Sequence, residues 1–308
     1  MLFDRKTWEE SFKGLYRGDA EFGAMMKSHT SLAIGGPADV LVSPADPISI
    51  KNIALAARGK NIPVMALGGG TNVLVSDSGI EGIVISLKSF RMIHVVREEG
   101  NDVELFVEAG VPLQMLLNFC KEKGYAGMEG LTGIPGTFGG AICGNAGSYG
   151  YEIKNVLRSV VIMYPDGRLD RRGAADLGFG YRTSGIKQAD IVLNANIKLT
   201  KDDIDAVAGR MQRYLAEKMK TQPISARSAG CVFKNPGAGS AGKLIEEAGC
   251  KGMKVGGIEV SSVHANFFVN SGSGTASDYV GLMREVSLIV EKKKGVLLEP
   301  EIKMVGRK

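Results

Sequence analysis

Cys231 lies in the stretch RSAGCVFKNP, residues 227–236, where a thiol can serve as packing, as a metal ligand, as a nucleophile or as an acid. Zinc sites need several cysteine or histidine ligands at short spacings. The chain has no CxxC pair and no HxH or HExxH motif among its cysteines and histidines, which are Cys120, Cys143, Cys231, Cys250, His29, His94 and His264. The sequence therefore predicts reduced thiols and no metal site.

Glycine-rich turns are the second feature that could carry chemistry. LGGGTNVLVSDSG, residues 67–79, follows an apolar run, and the backbone amides of such a turn can face a phosphate. The turn lacks the Gly-Lys-Ser/Thr ending of a P-loop and the spacing of GxGxxG, so an ordinary ATPase or Rossmann site is not indicated. A second glycine-rich stretch lies at 130–147. Two such stretches suit a long dinucleotide whose diphosphate and ring system are held separately, which favours a flavin.

Local patterns predict the elements that position these turns. An aspartate followed by proline predicts a capped helix over 47–59, and the apolar run 64–67 predicts a buried strand that leads into the first turn. Alternating residues at 103–107 predict a strand with one buried face. A helix is predicted over 112–124, with Cys120 in the core.

The second glycine-rich stretch, taken as 125–150, is too apolar for a solvated linker, so a packed loop or short helix against a large ligand is expected. Strands are predicted at 157–164 and 191–199. An amphipathic helix at 202–219, with Ile204, Val207, Met211 and Leu215 facing inward, is expected to open a C-terminal domain near residue 200.

The final helix has a clear beginning. Thr275 with Asp278 three residues later predicts a capping box, and residues Tyr279, Leu282, Val286 and Ile289 are expected to face the core.

Composition narrows the class of protein. The 308 residues carry 38 Lys and Arg against 33 Asp and Glu, a net charge of +5, which is too small and too dispersed for a nucleic-acid surface but compatible with a small anionic substrate. No apolar run approaches the roughly 20 residues that cross a bilayer. The first residues, MLFDRKTWEE, lack the apolar segment of a secretory signal. A cytoplasmic protein that binds neither nucleic acid nor membrane is expected.

Seven motifs in order resemble the UDP-N-acetylenolpyruvoylglucosamine reductases. The resemblance runs from about residue 28 to 306, nearly the whole chain. It rests on TSLAIGGPAD (30–39), LGGGTNVLVSDSG (67–79), GLTGIPGTFGGAICGNAGSYG (130–150), YRTS (181–184), AGCVFKNP (229–236), AGKLIEEAG (241–249) and LLEPEIKMVG (297–306).

The resemblance implies an α+β fold with a vanillyl-alcohol-oxidase-type (PCMH) FAD-binding domain, made of two subdomains, and a smaller α+β substrate-binding domain. The FAD-binding domain is expected at 1–200, with subdomains at about 20–87 and 88–200, and the substrate domain at 201–308. The short stretch between Gly150 and Tyr181 resembles the compact form of the family, which lacks an extra substrate loop.

The activity implied is reduction of UDP-N-acetylglucosamine enolpyruvate to UDP-N-acetylmuramate, a step of peptidoglycan precursor synthesis, with FAD as cofactor and NADPH as co-substrate. Hydride from the flavin would reach the enolpyruvyl methylene carbon, and the adjacent carbon would then need charge stabilisation and a proton. A monomeric enzyme is expected.

Three catalytic residues follow from the matching motifs. Arg182 and Glu301 would stabilise the enolate, with Glu299 as the neighbouring carboxylate that has no such role. Cys231 occupies the position where the family usually has serine, and its thiol, with an ordinary pKa of about 8.5, would deliver the proton. The thiol must then be protonated at rest, and it would be more oxidisable than a hydroxyl.

The resemblance also assigns binding residues. Those expected to hold the cofactor are Ile34, Gly35, Gly36, Gly68, Gly69, Gly70, Thr71, Asn72, Thr132, Gly133, Pro135, Gly136, Gly139, Gly140, Asn145 and Ala146. Those expected to contact the substrate are Tyr181, Lys220, Lys234, Asn235 and His264.

Two alternatives remain open. The first is a flavin oxidase with the same type of FAD domain, which would not need Arg182, Cys231 and Glu301 together. The second is a protein that binds flavin or UDP-sugar but has lost catalysis because cysteine replaces the usual serine.

Overall fold

Residues 5–237 and 239–307 are described by the computed structural model. The chain divides into two units of dense internal contact. The first contains the chain up to Phe22 together with 39–69 and 82–217, and the second contains 23–38, 70–81 and the chain from Lys218 onward. None of the described helices is long and apolar enough to cross a membrane.

Most helices and strands lie in the first unit. Its helices are α1 (Arg5–Phe12), α2 (Pro47–Gly59), α3 (Leu113–Lys123), α4 (Phe138–Cys143), α5 (Ile153–Val156) and α6 (Ile204–Thr221), the last of which ends within the second unit. Its strands are β1 (Gly18–Phe22), β2 (Ala38–Pro44), β3 (Val64–Leu67), β5 (Ile80–Ser86), β6 (Ile93–Glu99), β7 (Asp102–Glu108), β8 (Tyr125–Ala126), β9 (Gly147–Ser148), β10 (Tyr151–Glu152), β11 (Leu157–Met163), β12 (Leu169–Gly173) and β13 (Ile191–Lys201).

Two sheets organise these strands. The smaller has the order β1-β2-β5-β3 and the larger the order β12-β11-β13-β7-β6, with β8 paired to β13. In β7, Val103, Leu105 and Val107 are buried, which confirms the predicted one-sided strand. The predicted strands at 157–164 and 191–199 are confirmed as β11 and β13.

The helix caps follow the local signals. The Asp46 carboxylate accepts a hydrogen bond from the Ser49 amide at 2.7 Å and begins α2. Helix α3 ends at Gly124, whose φ of 66° is the left-handed conformation that glycine adopts without strain. Cys120 is 2% exposed in the core of this unit, as predicted, and burial raises its pKa to about 12.

The stretch 125–150 is a packed loop with a short helix, as predicted, because Phe138 and Ile142 of α4 are fully buried. The expected inward stripe of α6 is only partly correct. Val207 and Met211 are buried, but Ile204 is 52% exposed because it is the first residue of the helix.

The second unit combines helices α7 (Ala241–Glu247) and α8 (Ala276–Lys294) with strands β4 (Val73–Val75), β14 (Lys254–Val255), β15 (Ile258–Val260), β16 (Phe268–Asn270) and β17 (Lys303–Val305). The capping box at α8 is confirmed, since Thr275 and Asp278 bond each other's backbone amides. Strand β4 pairs in parallel with β17, and β14, β15 and β16 form an antiparallel sheet.

The two units do not follow the continuous domains 1–200 and 201–308 expected from the sequence. Residues 23–38 and 70–81 belong with the C-terminal segment because β4 pairs with the last strand and Ser31 bonds to both Gly70 and Ser228. Helix α6 remains in the first unit up to Glu217.

Candidate active site

The first unit brings two of the predicted cofactor-binding stretches together. Gly68 and Gly69 follow β3 and lie against Gly136 and Thr137, so closely that a Cβ added at Gly69 would lie 2.7 Å from the Gly136 Cα. Only glycine permits this approach of two backbones. The structure therefore joins turns that are far apart along the chain.

A buried ion pair supports the second of these turns. The Glu129 carboxylate, whose side chain is 2% exposed, accepts from Arg210 Nε at 3.0 Å and Nη2 at 2.8 Å and from the Gly127 amide at 2.7 Å. The Thr132 hydroxyl donates to the Glu129 carbonyl at 2.7 Å. Sequence patterns do not predict this role for Glu129 or Arg210; the available signal is an acidic residue inside an otherwise small and apolar loop.

Asn145, predicted to bind the cofactor, connects parts of the first unit with its side chain. It is fully buried, has a φ of 42°, and donates from Nδ2 to the Gly180 carbonyl at 3.0 Å and to the Glu152 carboxylate at 3.3 Å. Its Oδ1 accepts from the Lys154 amide at 3.1 Å. The amide side chain thus anchors the glycine-rich loop beside the segment that carries Arg182.

Arg182 occupies a strained turn. Its φ is 57°, which costs a residue with a Cβ about 1–3 kcal/mol and is concentrated at functional sites. Gly180 and Thr183 bond to each other across the turn. The guanidinium lies 5.5 Å from the ring centroid of Tyr181, and its Nη1 would be 3.5 Å from a Cβ at Gly147. The strained turn therefore places a cation beside Gly147 and the Tyr181 ring.

Glu152 is the carboxylate near Arg182, and it pairs with Lys154 at 2.6 Å. The pKa of Glu152 is lowered chiefly by its hydrogen bond to Lys154, and further by Asn145 and by the charge of Arg182. A carboxylate that is ionised at neutral pH therefore faces this part of the loop.

The second unit holds the remaining predicted cofactor residues. Gly70 has a φ of 64°, and a Cβ there would lie 2.1 Å from the His29 carbonyl oxygen. The Ser31 amide donates to the Gly70 carbonyl at 3.0 Å, and the Thr30 hydroxyl donates to the Ile34 carbonyl at 2.9 Å. Segments 30–36 and 70–72 are therefore neighbours within this unit.

Cys231 and Glu301 are brought together by backbone hydrogen bonds. The Glu301 amide donates to the Val232 carbonyl at 2.8 Å, directly beside Cys231. Asn72, predicted to bind the cofactor, donates from Nδ2 to the Glu301 carbonyl at 3.4 Å. Two predicted catalytic residues that are distant in sequence thus lie on adjacent backbones, and both are half-buried.

The predicted substrate residues near Cys231 have partners within the protein. Lys234 Nζ pairs with Glu299, whose side chain is 69% exposed, while the Lys234 amide donates to the Glu299 carbonyl. Asn235 Oδ1 accepts from the Ala241 amide at 3.0 Å, at the start of α7. Glu299 therefore pairs with Lys234 at the surface, and its lack of a catalytic role stays a prediction.

His264 uses one ring nitrogen within the fold. Its Nδ1 accepts from the Asn266 amide at 3.2 Å, and its ring lies 4.9 Å from that of Phe267. The pKa of His264 is lowered, first by burial and then by the charge of Lys251, with Glu246 opposing. His264 is therefore neutral near pH 7, with Nε2 remaining for any further contact.

The end of α6 carries both an expected and an unexpected cation. Lys220, predicted to contact substrate, is exposed. Lys218 is only 2% exposed, and no sequence motif predicts it. A lysine so deeply buried is rare in folded proteins.

The predicted catalytic residues are divided between the two units. Tyr181 and Arg182 belong to the first, whereas Cys231 and Glu301 belong to the second. The Glu301 amide bonds to Val232, next to Cys231. The catalytic roles of the three residues, and the approach of Arg182 to the other two, stay predictions.

The predicted cofactor residues suit a dinucleotide. They include no acidic side chain, so the turns present backbone amides and small polar groups to an anionic diphosphate. Among residues 5–237 and 239–307, no cluster of three or more His, Cys, Asp or Glu could hold a metal ion.

Comparison with known proteins assigns two parts of the chain to families. Residues 38–171 match the family described as FAD binding domain, and residues 222–305 match the C-terminal domain of UDP-N-acetylenolpyruvoylglucosamine reductase. A reductase of that name from Rubrobacter xylanophilus is 42% identical over 290 residues, which cover 93% of this chain and 95% of the relative. The chain belongs to the UDP-N-acetylenolpyruvoylglucosamine reductase family.

Other members of the reductase family support this assignment. The protein of that name from Desulfosudis oleivorans is 39% identical over 302 residues, covering 95% of this chain and 96% of the relative. The crystal structure of the reductase from Thermus caldophilus matches with a TM-score of 0.80 at 33% identity, covering 94% of this chain and 99% of that one. The resemblance found in the sequence is confirmed.

The fold class and the flavin cofactor are confirmed together with the family. The matched FAD binding domain covers residues 38–171. A berberine-bridge-enzyme-like protein from Physcomitrella patens matches with a TM-score of 0.57 at 12% identity, covering 94% of this chain and 89% of that one, which shows a shared fold alone.

Proposed function

We propose that this protein reduces UDP-N-acetylglucosamine enolpyruvate to UDP-N-acetylmuramate with NADPH, in peptidoglycan precursor synthesis. The observation that carries the proposal is the backbone pairing of the Cys231 and Glu301 segments inside the family-matched C-terminal domain. The predicted cofactor residues, among them Gly68, Gly69 and Gly136, would hold FAD, which would supply hydride-transfer chemistry between NADPH and the enolpyruvyl group.

Cys231 would supply the proton that completes the reduction. Hydride addition to the methylene carbon leaves negative charge on the adjacent carbon and its carboxylate, and the Sγ hydrogen would neutralise it. The thiolate left behind would regain a proton from solvent, for which the half-buried position of Cys231 leaves a route. The hydride and this proton together account for the two hydrogens added.

Arg182 and Glu301 would organise the developing charge. The strained turn and the ring of Tyr181 limit the directions open to the Arg182 guanidinium, so little reorganisation is needed when negative charge develops on the substrate carboxylate. The Glu301 backbone is fixed by Val232 and Asn72, which would hold its carboxyl group beside Cys231.

The UDP portion of the substrate would contact cations and an amide side chain of the second unit. Lys220, Lys234, Asn235 and His264 are proposed contacts, with Tyr181 on the first unit. Because Lys234 pairs with Glu299 on the surface, an incoming diphosphate would compete with an exposed carboxylate, and such exposed pairs hold only about 0–1 kcal/mol.

The decisive test separates the two half-reactions. The purified protein should be yellow, and NADPH should bleach it under anaerobic conditions. UDP-N-acetylglucosamine enolpyruvate should then restore the flavin absorbance and yield UDP-N-acetylmuramate by mass spectrometry.

The same test addresses the alternatives. A flavin that stays bleached with this substrate but recovers with oxygen would favour an oxidase, and a flavin that NADPH cannot reduce would favour a binding protein. The expected monomer is checked by light scattering on the same sample.

A further inference from the structure

The segment that carries Cys231 is held from two sides within the second unit. On one side Cys231 pairs with Phe267, and on the other Phe233 pairs with Pro300. The backbone of Val232 forms a hydrogen bond on each side. Its amide donates to the Asn266 carbonyl at 2.8 Å, and its carbonyl accepts from the Glu301 amide at 2.8 Å.

Asn266 makes the largest share of these contacts. Besides its backbone carbonyl, its side chain accepts from the Phe233 amide at 3.0 Å through Oδ1 and donates to the Phe233 carbonyl at 2.7 Å through Nδ2. The side-chain amide thus satisfies both backbone groups of one residue, as a neighbouring strand would. Asn266 is 1% exposed and Phe233 2%, so water does not compete for these bonds.

The position of Asn266 is itself fixed. Its amide donates to His264 Nδ1, and the Ser261 hydroxyl accepts from the amides of Val263 and His264 at 3.1 and 3.4 Å. The ring of His264 fits against α7, where a Cβ at Gly242 would lie 2.9 Å from Cε1. The turn at 261–267 therefore has little freedom to shift.

We infer that Asn266 is a positioning residue that sets the Cys231 thiol and the Glu301 carboxyl group at a fixed separation through the Val232 peptide. The inference rests on the proposed roles of Cys231 and Glu301. It concerns the proton-transfer step, because neither the bonds of Asn266 nor those of Val232 involve the proposed cofactor residues.

Removing the side chain tests this role. Asn266→Ala leaves the Phe233 amide and carbonyl buried without their partners, and a catalytic group displaced by about 1 Å can cost about 100-fold in rate. We expect reoxidation of the NADPH-reduced flavin by UDP-N-acetylglucosamine enolpyruvate to slow by about 100-fold. Reduction of the flavin by NADPH should stay within about twofold of the parent.

A matched control accounts for lost stability. Thr275→Ala removes the N-cap of α8 in the same unit without touching the Cys231 segment, since the Thr275 hydroxyl accepts from the Asp278 amide at 3.0 Å. This control should lower the melting temperature while both half-reactions keep the parent rates. Equal slowing of reoxidation in Thr275→Ala and Asn266→Ala would overturn the inference, as would parent-like reoxidation in Asn266→Ala.

The pH dependence of flavin reoxidation in Asn266→Asp distinguishes a positioning role from a purely structural one. An ionised Asp at this position repels the Phe233 carbonyl, whereas a protonated one donates to it as Nδ2 does. Reoxidation in this variant should recover as pH falls, while the parent does not accelerate. A slower reoxidation that does not depend on pH would count against the inference. If Asn266→Ala does not fold, Asn266→Asp alone tests the positioning role.

Failure of the proposed function has a different signature. If Cys231→Ala reoxidises as fast as the parent, the thiol is not the proton donor, whatever Asn266 does. If Cys231→Ala is slow but Asn266→Ala is not, the donor stands and the positioning role fails.

Discussion

Replacing Tyr279 with phenylalanine should stabilise the protein. Tyr279 is fully buried in the second unit, its ring lies 5.5 Å from that of Phe268, and its hydroxyl has no hydrogen-bond partner among the described residues. Burial raises the pKa of Tyr279, so its hydroxyl is neutral.

The size of the expected stabilisation follows from the missing hydrogen-bond partner of the Tyr279 hydroxyl. A buried polar group without a hydrogen bond costs about 1–3 kcal/mol, and phenylalanine fills the same space apart from one oxygen atom. After allowance for the lost contacts of that atom, Tyr279→Phe should raise the free energy of unfolding by about 1 kcal/mol. For 308 residues, with an unfolding entropy of about 2.1 cal/mol/K per residue, that is a rise in melting temperature of about 1.5 °C.

Tyr125 offers the same substitution with the opposite expectation. It is 3% exposed, and its hydroxyl donates to Glu98. Burial and that hydrogen bond raise the pKa of Tyr125 to about 12. Glu98 is 37% exposed, so water reduces the net contribution of this hydrogen bond to stability. Tyr125→Phe should therefore lower the free energy of unfolding by about 1 kcal/mol.

The two variants are compared by denaturant and thermal unfolding, followed by circular dichroism at equal flavin content. A gain for Tyr279→Phe and a loss for Tyr125→Phe is the expected pair of results. If Tyr279→Phe loses 1 kcal/mol or more, the hydroxyl has a partner such as a buried water, and the reasoning from an unsatisfied group is refuted.

Further predictions concern chemistry, charge and pH. Cys231→Ser should keep substantial turnover and resist hydrogen peroxide, whereas the parent loses activity to peroxide as its thiol oxidises; equal peroxide sensitivity would contradict this. Arg210→Ala should lower the free energy of unfolding by about 3 kcal/mol, measured by urea titration, because Glu129 is left buried without its main partner; a loss below 1 kcal/mol would show that the pair is not needed. The lowered pKa of His264 means that the folded state resists protonation, so the melting temperature should fall as pH drops below the ordinary value of 6.5, and His264→Gln should remove this slope. The pKa of Asp278, lowered mainly by the Thr275 amide, gives stability that is present above the ordinary value of 3.8 and is lost as pH falls below it; Asp278→Asn should flatten only that acidic part of the melting curve.

Signals confined to a few neighbouring residues were predictable. Asp46, Gly124 and Thr275 each act on backbone groups within one helical turn, so residue type and spacing suffice to place the helix ends. The burial of Cys120 followed in the same way from helical periodicity.

Features that depend on distant contacts were not predictable from local patterns. Periodicity carries no information on which strand pairs with β4, so the membership of 70–81 in the second unit could not be derived. The roles of Glu129 and Asn266 depend on partners 81 and 33 residues away. In the candidate site, motif resemblance supplied the identity of Cys231 and Glu301, but only coordinates showed that their backbones are joined.

The pairing of β4 with β17 has a consequence for the protein during its synthesis. Val73–Val75 emerges from the ribosome long before Lys303–Val305, its parallel partner, has been translated. The early strand must therefore wait, with an open hydrogen-bonding edge, until almost the entire chain has left the exit tunnel. Loss of the chain from residue 303 onward would deprive Val73–Val75 of its neighbour, and nascent chains of this protein are expected to depend on chaperones until Lys303–Val305 has been translated.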